Sequence, residues 1–125
     1  MNSMPTVEAI INSLKKIRTG VVIDEYKLQN TIARQFSKDE INFVRECTIG
    51  KRCRIDFFIP GGIGIEVKKG KPNRVTVLQQ LGRYAESYKI NCIILVVEKN
   101  LDVPSTINGK RCFSIGLNKQ WGVAI

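Results

Sequence analysis

The chain has 125 residues, of which 20 are Lys or Arg, 11 are Asp or Glu and none is His, giving a formal charge of +9. That length suits one core, so a single domain over residues 1–125 is expected. Without imidazole, Ser-His-Asp and Cys-His nucleophiles, His-ligated zinc and imidazole-driven phosphodiester hydrolysis are excluded, and the excess of cations favours a polyanionic partner.

Hydrophobic residues at 43% against 25% charged are enough to bury a core. The longest apolar run, Cys92 to Val97, falls far short of the roughly 20 residues of a membrane span, so no membrane partner is expected. The N-terminus lacks the continuous apolar stretch of a signal peptide, and the protein is read as cytoplasmic. Cys47, Cys53, Cys92 and Cys112 include no Cys-x-x-Cys pair and read as reduced, mostly buried thiols. A Cys47–Cys53 bridge across a hairpin, or a zinc site needing Cys92 and Cys112 as well, is the alternative.

In chain order, Val7, Ile10, Ile11, Leu14 and Ile17 recur at helical spacing over residues 5–18, with Pro5 in the first turn and Thr19-Gly20 as the stop. Asp24 is a good N-cap for a second helix over 24–37, whose stripe is Leu28, Ile32, Ala33 and Phe36. Glu25 lies on that stripe and is expected to point toward the core side. The period then changes to two, predicting strands at 41–48 and 52–59 around a turn at Gly50. Pro60-Gly61-Gly62 is a turn, residues 63–68 a third strand and residues 69–74 a polar loop. Val77, Leu81, Tyr84, Ala85 and Tyr88 mark a helix over 75–88, and Cys92 to Val97 a fully apolar strand with a parallel neighbour. The tail from residue 100 is punctuated by Pro104, Gly109, Gly116 and Gly122, with a short strand over 111–115.

The second strand places Ile55, Phe57 and Ile59 on one face and Asp56 on the other. In the third, Glu66 and Lys68 share a face while Ile65 and Val67 point away. Two carboxylates on neighbouring strands suit a hard cation such as Mg²⁺, with the Val67 carbonyl as a further oxygen. Lys68 is then placed to orient water or to offset charge on a phosphate. An ordinary Asp56–Lys68 cross-strand pair and a Glu66–Lys69 pair are the bland alternatives. Gln80 and Tyr84 are four residues apart on one helical face, and both are candidates to reach a phosphate or base. Glu25 as a helix N-terminal charge, and Tyr84 as core, are their structural alternatives.

Asp56, nine intervening residues, then Glu66-Val67-Lys68, with Glu25 before and Gln80-x-x-x-Tyr84 after, resembles the PD-(D/E)XK nuclease superfamily. The segment Arg54-Ile-Asp-Phe to Ile-Glu-Val-Lys, then Gln-Gln-Leu-Gly-Arg-Tyr, is especially similar to its small phage, archaeal and bacterial endonucleases, Holliday-junction resolvases among them. The resemblance covers residues 24 to 97 and departs at Ile55, where the name-giving proline would stand. It implies an α/β, restriction-endonuclease-like αβββαβ core over residues 24–97 with a central mixed sheet flanked by helices. The helix at 5–18 and an extension at 100–125 lie outside it. It also implies a Mg²⁺- or Mn²⁺-dependent DNA endonuclease with Glu25, Asp56, Glu66 and Val67 as metal ligands and Glu25, Asp56, Glu66, Lys68 and Gln80 as catalytic residues. Some junction-cleaving relatives carry an extra acid where Glu46 stands. Glu46 shares the Asp56 face if the hairpin closes through a three-residue loop at Ile49 to Lys51.

Between Arg45 and Arg74 eight basic residues face three acids, which are Glu46, Asp56 and Glu66. Arg52, Arg54, Lys69, Lys71 and Arg74, with Arg83 and Tyr84 on the following helix, are the candidate nucleic-acid contacts. No helix suited to reading a major groove is evident, so backbone and shape recognition is expected. A non-catalytic DNA-binding module of the same fold, or an RNA-processing nuclease, is the alternative function. A homodimer is expected if both strands of a duplex are cut, with the helix at 5–18 as its interface.

Overall fold

A computed structural model describes residues 5–18 and 24–117. Helices α1 (Val7–Lys15) and α2 (Glu25–Lys38) precede strands β1 (Val44–Gly50), β2 (Cys53–Ile59) and β3 (Ile63–Lys68). Helix α3 (Arg74–Ala85) and strands β4 (Cys92–Val97), β5 (Thr106–Ile107) and β6 (Lys110–Gly116) follow. Among the described residues the strands form one mixed sheet of six, in the order β1-β2-β3-β4-β6-β5, which gives an α/β fold. β1–β2, β2–β3 and β5–β6 are antiparallel, whereas β3–β4 and β4–β6 are parallel.

Two apolar layers sandwich the sheet. Ile10, Leu14 and Ile17 join Leu28, Ile32 and Phe36 of α2 against Phe57, Ile59, Ile65, Val67, Ile94 and Val96. On the opposite face Val77, Leu81, Tyr84 and Ala85 of α3 cover Ile55, Ile93, Leu95 and Val97. The stripe of α1 is therefore packed against its own chain, which removes the exposed apolar face on which the expected dimer interface over residues 5–18 rested. Polar contacts add to that union: Asp39, the C-cap of α2, accepts from Ser13 Oγ (2.6 Å), Lys16 Nζ (2.8 Å) and Gln35 Nε2 (3.1 Å). Led by Lys16, these donors hold its carboxyl down at about 2.

The element ends show why some boundaries move. Thr6 caps α1, its side chain accepting from Ala9 N–H, so Pro5 precedes the helix. The expected stop at Thr19-Gly20 lies outside the described residues. Asp24 caps α2 by accepting from Lys27 N–H at 2.8 Å. That helix closes with Glu40 at φ +57° and Ile41 N–H donating back to the Phe36 carbonyl at 2.9 Å. Ile41 thus completes a helix stop instead of opening a strand. Gly50 belongs to β1 and pairs with Cys53, so Lys51 and Arg52 make the turn, with Arg52 at φ +55°. α3 ends at Ala85, and Tyr88 beyond it is 87% exposed. β5 has no counterpart among the expected strands, although Asn108-Gly109 between it and β6 is a strong hairpin signal.

Among the described residues no helix is long and apolar enough to cross a membrane. All four cysteines are free. Cys47 pairs with Ile55 and not with Cys53, while Cys92 and Cys112 lie in opposite layers, so neither bridge nor zinc site is assembled. Burial pushes the Cys53 and Cys92 thiols up and the Cys112 thiol to about 11.

Candidate active site

The site grows from an interruption in strand alternation. Glu46, in the middle of β1, takes φ +53°. Arg45 before it lies over the Phe57 ring in the α1/α2 layer, 5.6 Å to the centroid, whereas Cys47 after it packs in the α3 layer. Residues two apart in a regular strand share a face, so one left-handed residue has turned the hairpin tip over. β2 follows: Phe57 and Ile59 stay with α2 while Ile55 joins the α3 layer, which corrects the expectation that the three share a face. Gly64 makes room for the turned tip, since a Cβ there would stand 2.6 Å from Ile55 Cδ1 and 2.8 Å from Ile90 Cδ1.

Asp56 sits at this crossover. β2 and β3 pair only from Phe57–Ile65 to Ile59–Ile63, and beyond that the Asp56 side chain replaces the ladder, Oδ2 accepting Val67 N–H at 2.8 Å. A residue's N–H and C=O leave a strand on the same side, so the Val67 carbonyl opens toward that gap as well. Glu66 is 3% exposed and lies on the α3 side of β3. Its Oε1 accepts the Tyr84 hydroxyl at 2.9 Å, its Oε2 lies 3.2 Å from Lys68 Nζ, and Gln80 Nε2 donates to the Tyr84 oxygen at 2.8 Å.

Burial pushes the Glu66 carboxyl up to about 7, and the Asp56 charge adds to the rise against Lys68 and Tyr84. Asp56 is raised too, first by burial and then by Glu46 and Glu25, with Val67 N–H and Lys68 opposing. Tyr84 is pushed far up by burial and the Glu66 charge, and so stays a phenol that donates.

Glu25 was expected to face the core. It is half-buried instead, and its Oε2 accepts Lys69 N–H at 3.1 Å, which ties the start of α2 to the end of β3. Its charge still reaches Asp56. Glu46 lies in register between the Arg45–Phe57 and Cys47–Ile55 pairs, close enough to raise Asp56, and it pairs with Arg54 at 3.4 Å. Tyr84 is 3% exposed, so it supports Glu66 and is not presented to nucleic acid. Arg52, Arg54, Lys69, Lys71, Arg74 and Arg83 are all exposed, and Arg74 Nε is anchored on the Asp102 carbonyl at 3.1 Å. Glu98, which is not among the residues expected at the site, accepts Gly70 N–H at 2.7 Å and shapes the loop after β3. An acid directly after an apolar strand was the available signal.

Among the described residues no three Asp, Glu or Cys side chains converge as a ready-made metal cluster. The donor set that does fit a hard cation is narrower, comprising the half-buried Asp56 carboxylate, the buried Glu66 carboxylate and the Val67 carbonyl. Comparison with family models, curated proteins and solved structures finds no match.

Proposed function

We propose that this chain is a divalent-metal-dependent DNA endonuclease with a restriction-endonuclease-like core, in which Asp56, Glu66 and the Val67 carbonyl hold Mg²⁺ or Mn²⁺. The observation that carries the reading is the placement of half-buried Asp56 and buried Glu66 at the parting of β2 and β3, where burial raises both carboxyls, aided by the Asp56 charge at Glu66 and by Glu46 and Glu25 at Asp56. Lys68 offsets this cost only in part, since both carboxyls stay raised, and a bound divalent cation would offset more of it. The order α2-β1-β2-β3-α3-β4 and the resemblance of Asp56, Glu66 and Lys68 to the nuclease set support the same conclusion.

A bound cation would supply Lewis acidity to a phosphoryl oxygen and lower the pKa of its water. Lys68 stands at the mouth with its ammonium on Glu66, where it offsets charge that builds on a phosphate in the transition state. Tyr84 and Gln80 hold Glu66 in one orientation. Glu25 braces the loop carrying Lys69, and the exposed Arg52, Arg54, Lys69, Lys71, Arg74 and Arg83 supply backbone contacts for DNA.

The test is cleavage of supercoiled plasmid and of a four-way junction with Mg²⁺ or chelator, with RNA as a competing substrate. Asp56→Asn and Lys68→Ala are each expected to lose about 100-fold or more in rate while keeping DNA affinity in Ca²⁺. Undiminished cleavage by Asp56→Asn would overturn the proposal, and preferential cleavage of RNA would reassign its substrate.

A further inference from the structure

We infer that Tyr26 is a stacking platform for an unpaired nucleobase beside the Asp56–Glu66 gap, a statement of substrate class that rests on the nuclease reading. Tyr26 is a large aromatic side chain left 66% exposed in the first turn of α2. It is not loose. The Arg45 guanidinium backs the ring at 5.3 Å from its centroid and has the Phe57 ring at 5.6 Å. Arg45 in turn is fixed by Nη1 donating to Asn30 Oδ1 at 2.7 Å and Nη2 to Gln29 Oε1 at 3.1 Å. Both terminal nitrogens are thus engaged in holding the stack.

Its placement points to the site. Tyr26 follows Glu25, whose carboxylate is bonded to the Lys69 amide, and Phe57 follows Asp56. Phe57 is thus one residue from Asp56, and Tyr26 one residue from Glu25, whose charge reaches the Asp56 carboxyl, so the ring lies on the α2 side of the sheet next to the acids that approach Asp56. Arg45 shares this layer with Phe57, its partner in register, and the left-handed Glu46 after it sends Cys47 to the opposite layer.

An exposed ring backed by a cation, in a chain of charge +9, complements a flat base on a polyanion better than an apolar protein surface. Paired bases in a duplex present no free face. The platform therefore selects DNA with an unstacked nucleotide near the scissile phosphate, as at a gap, flap or branch.

The experiment measures Kd in the Asp56→Asn chain with Ca²⁺, for an intact duplex and for the same duplex with a short single-stranded gap carrying 2-aminopurine. Tyr26→Ala is expected to weaken binding of the gapped DNA by about 5- to 150-fold and to abolish quenching of the 2-aminopurine emission, while Tyr26→Phe and Tyr26→Trp retain both. Thermal melts establish that each variant is folded. Equal loss on gapped and intact DNA, or loss on neither, overturns the platform while leaving the nuclease reading in place. Failure of the Asp56→Asn chain with Tyr26 intact to bind either DNA overturns both. If Tyr26→Ala instead lowers self-association in sedimentation velocity without changing DNA affinity, the patch is a protein contact and the inference falls.

Discussion

Replacing Glu66 by Gln should make the metal-free protein more stable at alkaline pH while abolishing cleavage. In the folded chain the Glu66 carboxyl titrates at about 7 instead of its ordinary 4.5, mainly through burial and then the Asp56 charge. Between those values the folded state carries a proton that the unfolded state does not. The stabilisation is therefore complete below the unfolded pKa and is lost as pH rises through about 7. A rise of this size corresponds to ~3 kcal/mol. Glutamine keeps an acceptor for the Tyr84 hydroxyl and removes the charge, but it turns an amide N–H₂ toward Lys68 Nζ, which offsets part of the gain. A net stabilisation of about 1–3 kcal/mol, or about 4–12 °C in Tm, is expected at alkaline pH.

Urea denaturation in EDTA from about pH 5 to about pH 9 checks this. Wild-type stability is expected to fall across the range, and Glu66→Gln to show a flatter profile, because the raised Asp56 carboxyl is common to both chains. Added Mg²⁺ should restore stability to the wild type at alkaline pH by mass action and do little for the variant. A wild-type profile that does not fall, or a variant less stable than wild type at the alkaline end, refutes the picture of a repelling carboxylate pair awaiting a cation.

Two further substitutions examine the supports of the site. Tyr84→Phe removes the donor to Glu66 and the acceptor for Gln80, so it should cost about 1–3 kcal/mol in urea denaturation. The Mg²⁺ requirement for plasmid nicking should rise by about 10- to 100-fold, and an unchanged requirement would mean that Tyr84 is merely core. Gly64→Ala forces a methyl group against Ile55 and Ile90 and should destabilise by about 1–3 kcal/mol, with faster amide exchange at the β1–β2 tip. An unchanged urea midpoint would contradict that close packing.

The placement of the candidate site residues was legible in the sequence because it depends on residue type and spacing. Asp56, Glu66 and Lys68 fall on adjacent strands under any hairpin geometry that keeps β2 and β3 neighbours, and period-two alternation alone puts Glu66 and Lys68 on one face. Asp24 likewise marked the start of α2, because a carboxylate that satisfies a free N–H at a helix start works locally. What stayed hidden is backbone that turns left-handed without glycine. Glu40 closes α2, Arg52 makes the hairpin turn and Glu46 rotates the tip, and none carries the residue type that announces such a conformation.

The consequence at Glu46 reaches furthest. Extended backbone there would put Arg45 and Cys47 on one face and leave Ile55 with Phe57. Arg45 instead lies between the Tyr26 and Phe57 rings while Ile55 fills the space that Gly64 leaves under α3. Asp56, held at that crossover on the Val67 amide, has its position decided by the same rotation. Spacing could therefore name the two acids and the lysine, whereas the layers that Cys47 and Ile55 join depend on one left-handed residue that only the folded chain reveals.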